Sequence, residues 1–274
     1  MTSDAWILKT VQGLTVDFVN VPHQSNPRIT PSFGPEKDKI IQKEVDSLLA
    51  KGAVHEVEPV DGQFISTIFL VDKKTGGKRP VINLKYLNQF VEKNHFKMSG
   101  LRSILDQIVF EDLMFTMDLS DAYFSIPIDE NFRKYFRFVW KGKIYEFLVM
   151  PFGLTSAPFI FTKITKPIMA YLHASGLRCN IYIDDGIGLI KKNVNSNFAL
   201  VQRDSMVNIF RELGFTINLQ KSSLELSHRK VYLGFLIDSL AMKVFLTQEK
   251  LDMVVTCIKC LMQQSIKARF TTER

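Results

Sequence analysis

Ten residues in the second half of the chain, Ile181-Tyr182-Ile183-Asp184-Asp185-Gly186-Ile187-Gly188-Leu189-Ile190, constrain its folding most. Ile181 and Ile183, then Ile187 and Leu189, alternate as strand residues do, and Asp185-Gly186 is a strong signal for a hairpin turn. Taken alone, the pattern is satisfied by a hairpin whose turn happens to be acidic. Two adjacent aspartates on a short, well-braced loop also make an oxygen platform suited to Mg²⁺, a hard cation. A third carboxylate, Asp118, ends another apolar run, Leu113-Met114-Phe115-Thr116-Met117. Two neighbouring strands would bring the three carboxylates together, where they repel one another unless a cation neutralises them.

The rest of the chain must supply a frame for that platform. Its 274 residues, 46% of them hydrophobic, suffice for a buried core in one elaborate domain or two small ones. The net charge of +7 leans toward anionic partners. Residues 72–100 concentrate it, with seven Lys or Arg against two acids, although a solvated face is often this basic. The three cysteines include one CxxC, Cys257 and Cys260, with no second ligand pair to complete a zinc site. Thiols in a reducing compartment fit better. The N-terminus carries no basic n-region followed by an apolar run, so an intracellular protein without a secretion signal is expected. No run is long and apolar enough to span a bilayer.

Along the chain, residues 1–31 hold scattered apolar residues and three prolines, and read as an extended leader. A helix is expected from Glu36, with Ile40, Ile41, Val45, Leu48 and Leu49 on one face and Gly52 as its stop. Phe64 to Val71 reads as a strand, and the return strand begins at Pro80-Val81-Ile82. Between them, Lys73-Lys74-Thr75-Gly76-Gly77-Lys78-Arg79 is a basic tip able to fold over a triphosphate, or simply a solvated turn. Ser99 is placed to cap a short helix carrying Leu101, Ile104, Leu105 and Ile108. Residues 135–149 read as a second hairpin, turning at Lys141-Gly142. Its aromatic residues suit a core better than a base-stacking platform. Helices are expected from Ser156 to about Ser175, with Pro167 inside, and from Asn195 to Leu213. Phe215 to Leu219 reads as a strand, and Thr247 caps a last helix with Leu251, Val254, Val255, Ile258 and Leu261 on its apolar side.

Three segments carry a resemblance. Tyr182-Ile183-Asp184-Asp185 resembles the signature of reverse transcriptases. Asp118-Leu119-Ser120-Asp121-Ala122-Tyr123-Phe124 resembles their preceding acidic motif, and Met150-Pro151-Phe152-Gly153-Leu154-Thr155-Ser156-Ala157-Pro158 their template-gripping segment. Order and spacing match for all three, and the likeness runs over roughly residues 36–265. With Arg79-Pro80-Val81-Ile82-Asn83-Leu84-Lys85 upstream, Tyr182 to Gly188 looks most like DIRS-type retrotransposons, with Ty3/gypsy-type elements next. Asn83 stands where retroviral enzymes have aspartate. Phe152 stands where they have glutamine, so any polar role of that glutamine is absent.

The resemblance implies an α+β right-hand polymerase fold with an antiparallel palm sheet. Residues 1–35 would be leader and 36–240 fingers and palm, the fingers in about 36–112 and 125–149. Residues 241–274 would begin a truncated thumb, where the family usually continues into a full thumb and an RNase H domain. The implied activity is RNA-directed DNA synthesis, with two Mg²⁺ ions, or Mn²⁺, on Asp118, Asp184 and Asp185. The counterpart of Asp121 lies by the triphosphate. Lys221 falls where a lysine can protonate leaving pyrophosphate, and an exposed turn lysine fits it equally. Arg79 falls on the triphosphate-binding arginine, Lys73 on its companion lysine if the loop is one residue shorter, and Lys85 on a further basic position. Gly153 would let backbone approach the template or the new base pair, beside Phe152, and Tyr123 would lie by the sugar of the incoming nucleotide. Val231-Tyr232-Leu233-Gly234-Phe235-Leu236 resembles the primer-grip hairpin. Implied partners are an RNA or DNA template with primer and deoxynucleoside triphosphates, and no membrane. The rival reading is an inactive or domesticated fragment that binds nucleic acid without polymerising.

Overall fold

The computed structural model describes residues 2–27, 29–72, 78–192 and 195–272. Its elements begin with α1 (Ala5–Thr10), α2 (Pro35–Ala50), β1 (Val54–Val57), β2 (Ile65–Asp72), β3 (Lys78–Asn83), α3 (Leu101–Leu105) and β4 (Leu113–Ser120). There follow α4 (Glu130–Arg133), β5 (Arg137–Trp140), β6 (Lys143–Phe147), α5 (Ala157–Ala174), β7 (Arg178–Tyr182) and β8 (Asp185–Ile190). The last are α6 (Ser196–Glu212), β9 (Thr216–Ile217), β10 (Ser223–Ser227), β11 (Arg229–Tyr232), β12 (Phe235–Asp238), β13 (Lys243–Leu246) and α7 (Gln248–Thr272). They form two units, Met1–Met98 with Asp121–Tyr171, and Ser99–Ser120 with Leu172–Arg274. Among the described residues no helix is long and apolar enough to cross a membrane.

The first unit is built on a five-stranded sheet in the order β1-β6-β5-β2-β3. β2 and β3 pair from Thr67↔Asn83 to Asp72↔Lys78, so the expected basic hairpin forms up to its tip. Lys141 (φ +48°) and Gly142 (φ +78°) make the two-residue turn between β5 and β6, both left-handed as such a turn requires. Phe136, Phe138, Trp140, Tyr145 and Phe147 are buried, so these rings serve the core and offer no stacking platform. Arg137 and Glu146 form a buried pair at 2.6 Å, with the guanidinium also donating to Glu58 O and Gln63 Oε1. Residues 1–35 depart from the expected extended leader. Asp4 Oδ1 accepts from the Trp6 and Ile7 amides to start α1. Trp6 then packs near Phe159 under the Lys163 ammonium, and Leu14 and Val16 are buried.

The second unit holds a four-stranded sheet, β10-β4-β8-β7, with β9 also on β4, and a small sheet β11-β12-β13. Met114, Ile187 and Leu189 pack with Ile104, Tyr232 and Ile237. Gly188 admits no side chain, because a Cβ there would lie 2.2 Å from the Phe115 ring. Arg178 grips fully buried Asp112 through both carboxylate oxygens, joining β7 to the entry of β4. One expectation fails here. Gly100, not Ser99, is the N-cap of α3, and no side chain caps it. The apolar side of α7 is exposed, Leu251, Val254, Val255, Ile258 and Leu261 all being at least 41% accessible.

Candidate active site

The antiparallel register of β4 on β8 sets Asp118 directly opposite Asp185. Both strands alternate as their sequences require, so the two carboxylates share one end of the sheet. β7 and β8 close with Tyr182↔Asp185, leaving Ile183 and Asp184 as the turn. The expected turn at Asp185-Gly186 therefore sits two residues too late. Gly186 is buried within β8, where a Cβ would come 3.3 Å from Met117 Cε and 3.4 Å from Met117 O. Its glycine serves close strand packing. Ile183 takes φ +55°, and Asp184 is not among the residues with positive φ. That is the pattern of a type II′ turn, whose first central position usually needs glycine. A β-branched residue there stores roughly 1–3 kcal/mol of strain. The Leu119 amide donates to Asp184 O at 2.9 Å and ties the turn to β4.

Burial pushes the Asp185 carboxyl up to about 6, Asp184 and Asp118 push the same way, and Lys221 opposes them. Asp118 is also raised, first by burial and then by Asp184, against the pull of Lys221 and a hydrogen bond from the Asn218 side chain. Lys221 Nζ lies 3.9 Å from Asp118 Oδ2. Asp118 Oδ1 is buried with no hydrogen-bond partner among the described residues. A buried carboxylate oxygen without a donor, beside two more carboxylates, suits a cation. Among the described residues, however, no three His, Cys, Asp or Glu side chains are drawn into one ligand group. The donors fit a divalent ion in kind, and closing them around it requires movement.

Sequence reasoning missed the support beneath Asp118. Phe215 to Leu219 was expected as a strand, but β9 is only Thr216–Ile217. Pairing to β4 stops there and resumes at Ser223↔Thr116, so residues 218–222 arch past Asp118. Within the arch, Ser222 Oγ accepts from the Asp118 amide at 2.9 Å and donates to Asn218 O at 2.7 Å. The Asn218 amide donates to Asp118 O at 2.8 Å. The arch thus satisfies the Asp118 backbone where the ladder is broken, and it carries Lys221 to the carboxylate. A cavity of about 260 Å³ opens there, lined by Asp118, Asp185, Lys221 and residues 231–234.

The remaining expected residues belong to the first unit. Tyr123 is buried, 5.0 Å from the Phe152 ring and 5.6 Å from Phe161, while Phe152 is 44% exposed. Gly153 has φ +95°, and Asn88 Nδ2 donates to its carbonyl while Asn88 Oδ1 accepts from the Thr155 amide. Arg79 is exposed on β3 opposite Val71, and Lys85 is exposed just after it. Asp121 adopts φ +48° and pairs with Lys51 at 2.8 Å. Lys73 lies outside the described residues.

The chain is similar to known proteins. The genome polyprotein of Petunia vein clearing virus (isolate Shepherd) is 26% identical over 217 residues, which are 76% of this chain and 10% of that protein. The transposon Tf2-3 polyprotein of Schizosaccharomyces pombe is 26% identical over 151 residues, 55% of this chain and 11% of that protein. The chain thus spans about a tenth of the length of these relatives. The foamy viral protease-reverse transcriptase, solved in complex with an RNA/DNA hybrid, superposes with a TM-score of 0.69 at 22% identity, covering 85% of this chain and 30% of that one. That likeness establishes the right-hand polymerase fold with antiparallel sheets. A family model described as reverse transcriptase (RNA-dependent DNA polymerase) matches residues 71–237, more than half of the sequence and all of the carboxylate site, and the chain belongs to that family.

Proposed function

We propose that this chain is the RNA-directed DNA polymerase part of a retroelement polyprotein, extending a primer on an RNA or DNA template with deoxynucleoside triphosphates. The observation that carries the reading is Asp118 set opposite Asp185 on adjoining strands, with Lys221 at 3.9 Å. Asp118, Asp184 and Asp185 would hold divalent cations, Mg²⁺ or Mn²⁺, whose chemistry is activation of a primer hydroxyl and neutralisation of a triphosphate. The chain's own residues do the rest. Lys221 Nζ holds a proton for the departing pyrophosphate, beside the buried carboxylates. Arg79 on β3, with Lys73, meets the triphosphate. Gly153 brings bare backbone to the nascent base pair beside Phe152. Residues 36–112 and 125–149 serve as fingers, the remainder to 240 as palm, and 241–274 as the beginning of a thumb. The relatives include a plant virus and a transposon, and the motif wording at Tyr182 to Gly188 favours a DIRS-type element over a Ty3/gypsy-type one.

A second reading, nucleic-acid binding without synthesis, draws on the carboxylates not being drawn into one ligand group. Primer extension by the purified chain on a primed RNA template with Mg²⁺, alongside anisotropy binding of the same duplex, separates the two. Extension supports the polymerase. Tight binding with no extension in Mg²⁺ or Mn²⁺ supports the second reading. In the same assay, Tyr123→Val tests discrimination by the ring. The expected outcome is retained deoxynucleotide use with roughly tenfold better ribonucleotide incorporation, because the obstacle to a 2′-hydroxyl is gone. An unchanged ratio assigns Tyr123 to the core with Phe152 and Phe161.

A further inference from the structure

The cavity lined by Asp118 and Asp185 is also lined by the turn between β11 and β12. Tyr232 pairs with Phe235, so Leu233 and Gly234 are the two central residues, and both are left-handed, at φ +49° and +71°. Glycine accepts that conformation freely. Leucine does not, so something must hold the turn closed at Leu233.

The start of α7 holds it. Lys250 Nζ donates to Leu233 O at 3.2 Å, and the same ammonium lies 3.6 Å from the centre of the Phe235 ring. Thr247 Oγ1 reaches Gly234 O at 3.5 Å, a weaker contact on the neighbouring carbonyl. The lysine stem runs so close to the turn that a Cβ on Gly234 would lie 2.6 Å from Lys250 Cε. Glycine at 234 answers the left-handed φ, and the lysine end lies against it. Beyond Lys250 the helix has little burial to hold it, since Leu251, Val254, Val255 and Ile258 are 41–51% exposed. The polar clasp at Lys250 therefore carries the link between α7 and the hairpin.

We propose that Lys250 is a positioning residue for primer extension: by clasping the Leu233–Gly234 turn it fixes one wall of the cavity that Asp118 and Asp185 also line, and with it the resting place of the primer's 3′ end. The proposal rests on the polymerase reading above. Lys250 touches no reacting atom. It acts through the turn, by donating to a carbonyl and by placing a cation on an aromatic face.

Two variants of the full chain test it. Lys250→Met keeps the stem and removes both donor and charge, whereas Lys250→Arg keeps both. In steady-state extension, Lys250→Met should raise the KM for primed template about tenfold and leave the deoxynucleotide KM within about twofold, because only the wall meeting the primer has moved. Lys250→Arg should stay within about threefold of wild type on both. Hydrogen exchange supplies a readout independent of synthesis. Amides of residues 231–238 should exchange about tenfold faster in Lys250→Met than in wild type or Lys250→Arg, with β4 and β8 unchanged. An equal rise in both KM values, or a primed-template KM within twofold of wild type, overturns the positioning role. Unchanged exchange overturns the clasp itself. A wild type that extends no primer yet shows the exchange difference overturns the polymerase reading and leaves the clasp standing.

Discussion

Two of the hairpins that close with two-residue turns, β5–β6 and β7–β8, obey opposite rules. Between β5 and β6 the turn is Lys141-Gly142, with two positive φ angles and glycine at the second position. Between β7 and β8 it is Ile183-Asp184, with the single positive φ placed on an isoleucine. The first turn puts glycine at one left-handed position and an unbranched lysine at the other. The second forces a β-branched residue into a glycine position and sets a carboxylate beside it. Aromatic burial surrounds the first, and the reward is stability alone. Around the second stand Asp118 and Asp185, both pushed toward their protonated forms by burial and by the charge of Asp184. The sharper strain, on a β-branched residue, and the carboxylate repulsion thus gather at one hairpin, while its counterpart holds an unbranched lysine in left-handed backbone and no acid, as expected where local rules yield to chemistry.

The comparison is broken most sharply by exchanging the acidic residue. Asp184→Asn should lower primer extension by about a thousandfold or more while the chain stays folded, because the proposed cation ligand is lost and the turn geometry is not. Lys141→Asn in the other turn should leave extension unchanged, asparagine being tolerated in left-handed backbone. Near-normal extension by Asp184→Asn removes the carboxylate cluster from the chemistry. Next in size is the support under Asp118. Ser222→Ala strips the Asp118 amide of its partner, at a cost of about 1–3 kcal/mol, and should slow extension roughly tenfold through a displaced carboxylate. Ser222→Thr, which keeps the hydroxyl, should recover most of that loss. A Thr variant as slow as the Ala variant would show that packing, and not the hydrogen bond, supports Asp118.

How far these two hairpins were legible follows from what encodes each. Lys141-Gly142 announces its own turn, and Asn195 announces the start of α6, because local residues satisfy local backbone. That neighbouring strands would bring Asp118 to the aspartate pair was equally legible, since both runs are apolar and alternate, but the register setting Asp118 opposite Asp185 was not read. The true turn position was not legible. Asp185-Gly186 is the better local signal, and it lost to Gly186 being needed against Met117 inside β8. Ser222 left no signal either, because its partner is 104 residues away and only the broken ladder gives it a task. α1 was hidden by its length, six residues being too few to show a period. For α7 the apolar stripe was read correctly as one side of a helix, and that side is exposed.

A smaller effect sharpens the electrostatic side of the contrast. In metal-free protein Asp185 titrates near 6, above the ordinary carboxylate value, so the folded state binds its proton more tightly than the unfolded chain does. The sign follows: ionising Asp185 destabilises the fold, with no penalty below about pH 4, growing loss from pH 4 to 6, and a plateau above. Asp185→Asn should therefore stabilise the metal-free chain at pH 7.5 by about 1–2 kcal/mol, after allowing for solvent screening of a group only partly buried. The gain should vanish near pH 4 and shrink when Mg²⁺ is added. Denaturant melts at both pH values decide it, and a gain that is the same at pH 4 would trace to packing instead of charge.

The smallest expected effect tests the strain itself. Ile183→Gly removes a side chain from a left-handed position, which relieves about 1–2 kcal/mol, while the freer unfolded chain returns about 0.5–1 kcal/mol of that. A net gain below about 1 kcal/mol is expected, reduced further by the contacts of a half-buried isoleucine. Gly142→Ala, at φ +78°, should move the other way and cost about 1 kcal/mol, since alanine gains nothing there and must adopt the same backbone. The opposite signs are the point. Ile183→Gly should also slow primer extension, because a freer turn holds Asp184 less firmly against Leu119, and stability then rises as activity falls. Gly142→Ala should lose stability with no change in extension rate per folded molecule. Equal destabilisation by both substitutions would mean that Ile183 sits at ease in its turn. The two hairpins would then differ in charge alone.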